Sequence, residues 1–119
     1  MEMAYYDHGT GTERWARAQR FFEAKEYTTA AGILRTLADE VPEQVAPRLL
    51  LARAYYHSAQ LLRSEAELLK VLELDPVEGY ARLMLGRTLE RQGRAADAVP
   101  HLRLAAALSG DFGQVRRSE

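Results

Sequence analysis

The sequence predicts an all-α fold, an α-solenoid of three antiparallel helix pairs, and three observations carry that prediction. The first is a repeat. Aligning the chain on a 34-residue period stacks Ala18, Ala52 and Gly86 in one column and Phe21, Tyr55 and Leu89 in another. Further columns hold Ala30, Ser64 and Ala98, then Leu34, Leu68 and Leu102, then Leu37, Val71 and Ala105. The period closes on Pro42, Pro76 and Gly110. Such self-similarity is the signature of a stacked repeat architecture. The second observation is the apolar spacing inside each copy, which follows i, i+3, i+4, i+7 and so forms one helical stripe. The third is punctuation: polar or glycine-containing breaks fall inside the copies and prolines fall at their ends. No segment alternates with period two, so no strand is predicted.

Taken in order, the helices are expected at about 12–24, 28–40, 46–58, 62–74, 79–92 and 95–109. The first pair carries Ala18 and Phe21, then Tyr27, Ala30, Leu34 and Leu37, and stops before Pro42. The second carries Leu51, Ala52 and Tyr55, breaks at Ser58-Ala59-Gln60, and resumes with Leu61, Leu68, Val71 and Leu72. Pro47 lies near its start, where a missing N–H costs nothing. The third carries Leu85, Gly86 and Leu89, breaks at Gln92-Gly93-Arg94, and resumes with Ala95, Ala98, Val99, Leu102, Ala105 and Ala106. Pro42 and Pro76 follow helix ends, a common place for a residue that cannot continue the helix. Pro100 is the misfit, because inside the last helix it removes a hydrogen bond or adds a slight kink. The small column has a packing reason: two helices approach to roughly 8 Å only where one presents no bulky side chain. Phe21, Tyr55 and Leu89 then fill the space beside that notch.

Composition excludes several function classes. A chain of 119 residues is one domain by length. The absence of cysteine removes disulfide frameworks, thiol catalysis and cysteine-based zinc sites. Sixteen basic against seventeen acidic residues give a net charge of −1, with no long-range pull on nucleic acid or anionic lipid. The segment 1–11 lacks the basic and apolar regions of a secretory signal, and the apolar runs fall far short of the ~20 residues that span a bilayer. The expected location is the cytoplasm. Fourteen of the sixteen basic residues are arginine, the bias of a GC-rich bacterial genome.

No catalytic, cofactor or metal site is predicted. His8, His57 and His101 show no ligand spacing. Glu65/Glu67 and Glu73/Asp75 read as solvated faces and as partners for Arg63 or Lys70. Asp111-Phe112-Gly113 copies a kinase tripeptide without the loops that give it meaning. Gly9-Thr10-Gly11-Thr12 lacks the lysine of a phosphate loop, and Arg116-Arg117 is too short for a nucleic-acid arm.

The columns resemble the tetratricopeptide repeat, a 34-residue helix–turn–helix family. The matching residues are Leu51-Ala52, Tyr55, Ser64, Leu68, Val71 and Leu74-Asp75-Pro76 in the middle copy. In the third they are Leu85-Gly86, Leu89, Gly93, Ala98, Leu102 and Ala105. The first copy departs, with Arg17 where the family has leucine and Trp15 one place after its large position. The repeats fall at about 11–44, 45–78 and 79–112, between a flexible N-terminal tail (1–10) and a C-terminal tail (113–119).

The resemblance implies a right-handed superhelix whose concave face is lined by the first helix of each repeat. The lining columns are Trp15, Leu49 and Leu83; Gln19, Arg53 and Arg87; Phe22, Tyr56 and Glu90; and Glu23, His57 and Arg91, with Tyr80 on the same side. Aromatic residues and arginine dominate binding hot spots, and arginine offers a rigid fork to a carboxylate. The implied function is non-enzymatic: a scaffold, adaptor or co-chaperone-like module that binds a peptide or helix with apolar anchors and at least one acidic group. The family's clamp for acidic chaperone tails does not carry over, because its five positions hold Trp15, Gln19, Leu50, Tyr80 and Met84. The alternative is a building block that self-associates, as a homodimer or larger, through an uncapped last repeat. Its surface would comprise Leu85, Leu89, Val99, Leu102, Ala106 and Leu108.

Overall fold

The computed structural model describes residues 9–110. Six helices run in order: α1 Gly11–Glu23, α2 Tyr27–Glu40, α3 Val45–His57, α4 Leu61–Leu74, α5 Gly79–Arg91 and α6 Ala95–Ser109. Every end lies within one residue of the position expected from the apolar period. Among the described residues there is no strand, and no helix is long and apolar enough to cross a membrane. Most of the two expected tails, together with His8, Asp111-Phe112-Gly113 and Arg116-Arg117, lies outside the described residues. Thr10, expected in the N-terminal tail, is instead the N-cap of α1. Its hydroxyl accepts from the Glu13 N–H while the Glu13 carboxylate accepts from the Thr10 N–H, a complete capping box.

Each helix pair crosses at its small residues. Ala18 and Ala30, Ala52 and Ser64, and Gly86 and Ala98 are all buried. Ser64 reconciles its hydroxyl with that burial by donating to the Ala52 carbonyl at 2.9 Å. At Gly86 the fit is closest, for a Cβ there would stand 2.4 Å from Leu102 Cδ2. The core falls into two clusters along the stack. One cluster joins Ala18, Ala30, Leu34, Leu37, Leu51 and Tyr55, and a second joins Leu68, Val71, Leu72, Met84, Leu85 and Leu89. Pro100 leaves α6 unbroken and removes only the bond to the Ala96 carbonyl.

The turns inside the pairs share one design. After α1, Lys25 N–H donates to Phe22 O and Glu26 N–H to Phe21 O; the same two bonds recur at Ala59 and Gln60, and at Gly93 and Arg94. This is the Schellman arrangement, which requires a left-handed residue just past the helix. Lys25 (φ 65°), Ala59 (φ 61°) and Gly93 (φ 77°) supply it. Only the third is the residue for which that conformation carries no Cβ penalty.

A left-handed residue other than glycine costs roughly 1–2 kcal/mol, of which glycine's greater unfolded-state freedom returns about 0.5–1 kcal/mol. Ala59→Gly and Lys25→Gly should therefore each stabilise the chain by about 0.5–1 kcal/mol, and Gly93→Ala should destabilise it by a similar amount. Urea denaturation of the three variants checks the signs.

Candidate functional site

The first helices α1, α3 and α5 bring their predicted residues together as a cluster of rings and guanidinium groups. Arg53, on α3, sits between two rings: its Cζ lies 4.8 Å from the centroid of Phe22 on α1 and 5.3 Å from that of Tyr80 on α5. Arg91 Cζ lies 4.6 Å over the Tyr56 ring, and Arg91 also donates to the Tyr56 carbonyl at 3.0 Å. His57 stands T-shaped to Phe22 at 5.7 Å and to Tyr56 at 5.5 Å between centroids. These contacts are favourable through the negative face of each ring, and together they tie three repeats across one face.

Tyr27 completes the cluster. Its ring stacks on His57 at 4.8 Å and stands T-shaped to Phe22 at 5.2 Å. It starts a second helix, so a reading confined to first-helix columns passes over it. The position follows from the short Schellman turn, which returns Tyr27 beside Phe22.

Other expected residues sit apart. Trp15 packs on the first core cluster and lines a separate cavity with Thr12, Leu37, Val41, Ala46 and Pro47. Leu49 is half-buried against the second cluster. Gln19 and Glu23 border a small cavity of about 200 Å³ with Phe22, Leu50 and Arg53. Arg87 is not an open guanidinium, since it bonds Glu90 at 3.0 Å within the same helix. Leu83 and Arg87 instead border a cavity of about 580 Å³ with Tyr80, Leu102, Ala106 and Leu108.

The expected self-association surface needs correction. Leu85 (1% exposed) and Leu89 (3% exposed) lie inside the second core cluster, because α4 and α6 cover them from either side. Leu102 is half-buried against that cluster. Val99 and Leu108 do reach the surface. The acidic pairs are also more engaged than expected: Glu67 bonds buried Arg48 at 2.8 Å, and Glu65 bonds Arg94 at 3.0 Å and Gln92 at 3.0 Å. Arg63 instead bonds Gln60 and stands over the Tyr55 ring.

Arg48 belongs to a column that the 34-residue period contains: Arg14, Arg48 and Arg82. Arg14 and Arg48 are buried. Arg14 forks onto Glu40 and, chiefly through that hydrogen bond, holds its carboxyl below the usual range. Arg48 adds a bond to the Ala38 carbonyl at 3.1 Å, and Arg82 reaches His101 at 3.3 Å and the Pro76 carbonyl. The repetition was visible in the sequence, but arginine ordinarily reads as a solvated residue.

The end faces differ in polarity. Columns that α3 and α5 bury are charged in α1: Glu13 precedes Pro47 and Ala81, Arg17 precedes Leu51 and Leu85, and Arg20 precedes Ala54 and Thr88. At the other end, Ala31 and Glu65 are covered in the first two repeats, whereas their equivalent Val99 is exposed. No group of three or more His, Asp or Glu that could hold a metal ion occurs among the described residues.

His57 and His101 are both held below the ordinary histidine range, first by burial and then by nearby arginines, Arg53 and Arg91 for one and Arg82 for the other. Their folded pKa is depressed, so the unfolded chain binds more protons and stability falls as pH drops from about 6.5 through the folded values. The thermal midpoint should decline between pH 7.5 and 5, and His57→Gln with His101→Gln should flatten that decline. An unchanged slope in the double variant would contradict this account.

The tetratricopeptide repeat family model matches residues 21–85. No curated protein sequence matches the chain. Among solved structures, the MamA 41-end chain from Desulfovibrio magneticus RS-1 superposes with a TM-score of 0.76 at 23% identity, over 80% of this chain and 54% of that one. MamA MSR-1 gives 0.80 at 20% identity, over 85% and 58% respectively. A MamA point mutant gives 0.78 at 21% identity, over 82% and 72%. At these identities the likeness is one of fold, and the chain spans little more than half the length of the first two.

Proposed function

The chain belongs to the tetratricopeptide repeat family, a family of protein-interaction modules, and from that premise we propose that it is a non-enzymatic scaffold or adaptor holding a partner segment along the face of α1, α3 and α5. The observation that carries this reading is the Phe22–Arg53–Tyr80 contact, which gathers hot-spot residue types from all three repeats on one face. The repeats, taken as 11–44, 45–78 and 79–112, act here as one binding unit. Phe22, Tyr56, Tyr80 and Leu83 offer apolar contact, and the guanidinium groups among them suit a segment that also carries an acidic group. A chaperone-tail clamp is not proposed, because the positions it uses hold other residue types. With a partner obtained by affinity capture, Phe22→Ala with Tyr80→Ala should weaken binding at least about tenfold. Leu62→Ala, on an exposed position of α4, should leave it unchanged. Unaltered affinity in the double variant would overturn the reading.

A second reading, self-association through the last repeat, is favoured by the 580 Å³ cavity at α5 and α6 and by exposed Val99 and Leu108. Val99 corresponds to Ala31 and Glu65, which are buried and half-buried in repeats one and two. The charged face of α1 disfavours head-to-tail stacking, so the pairing would be two-fold, α6 against α6. Light scattering at about tens of micromolar should then give twice 13.4 kDa, and Val99→Lys with Leu108→Lys should restore the monomer. A clean monomer from the unaltered chain removes this reading.

A further inference from the structure

Arg53 differs from the other groove arginines, Arg87 and Arg91, in having no oxygen acceptor among the described residues. Arg87 is paired with Glu90, and Arg91 is bonded to the Tyr56 carbonyl. Arg53 forms no hydrogen bond or ion pair among the described residues, and its Nε is closed off from solvent without an acceptor. A buried donor without an acceptor is costly, and here it belongs to a full positive charge. The rings of Phe22 and Tyr80 flank the guanidinium carbon, and ring contacts of this kind take up none of the N–H groups that an acceptor would use. The small cavity beside it is lined by Gln19, Phe22, Glu23, Leu50 and Arg53. It has room for a carboxylate group, and Glu23 in its wall opposes a dianion such as phosphate more strongly than a single carboxylate.

We propose that Arg53 is the specificity-determining residue of the groove, receiving one Asp or Glu side chain of the bound segment between the Phe22 and Tyr80 rings. This rests on the groove reading above and goes beyond it by assigning the acidic contact to one residue and leaving Arg87 and Arg91 out of it.

The test uses synthetic random dodecapeptide libraries, one with amidated and one with free C-termini, screened against the wild-type chain and Arg53→Gln. The wild-type chain should enrich amidated peptides with an acidic residue among apolar ones. Changing that acid to its amide should lower affinity about 10- to 100-fold, the span of a charge-assisted hydrogen bond. On Arg53→Gln the same change should have almost no effect, and on Arg53→Lys, which keeps the charge without the fork, an intermediate one. Retained binding of acid-free apolar peptides by Arg53→Gln shows that the variant is folded. If peptides are enriched without an acid, only through a free C-terminus, or with acid dependence intact in Arg53→Gln, the assignment is wrong and the groove reading stands. If no peptide is enriched, both fall.

Discussion

The close crossing of two helices at a small residue is the constraint on which the rest of the molecule depends. Ala18 on Ala30, Ala52 on Ser64 and Gly86 on Ala98 let each pair approach without a side chain between them. That approach fixes where the large column falls, so Phe21, Tyr55 and Leu89 can fill the space alongside. Repeating the crossing every 34 residues sets α1, α3 and α5 side by side. Only then do Phe22, Arg53 and Tyr80, which are 31 and 27 residues apart in sequence, share one contact.

The fold was legible because its information lies in apolar spacing, which depends on residue type and survives without coordinates. Helix ends were legible to within one residue because each coincides with a loss of apolar period, a glycine or a proline. The left-handed turns were only partly so. Gly93 announces a positive φ, whereas Lys25 and Ala59 hold the same conformation under the pressure of the recurring Schellman bonds. Nothing in their own chemistry requires it.

The candidate site was legible by column and much less so by contact. The periodic columns placed Phe22, Arg53, Tyr56, His57, Tyr80 and Arg91 on one face, and the structure brings those six into one cluster. They did not reveal that Arg87 turns to Glu90, that Trp15 joins the core, or that Leu85 and Leu89 are covered. Such choices are made by partners distant in sequence or by competition among neighbours on one helix. The buried Arg14 and Arg48 show the same limit: their acceptors, Glu40, Glu67 and the Ala38 carbonyl, are defined only once the helices are packed.

A stack of repeats ordinarily couples only nearest neighbours, so an end unit can fray without disturbing the unit beyond its neighbour. The Arg53 sandwich keeps to nearest neighbours but places both interfaces on one side chain, since an arginine of the middle repeat is held simultaneously by rings of the first and the third. Loss of either end loosens Arg53 and so reaches the opposite end. A ligand that grips the middle arginine would also stiffen both ends of the molecule at once.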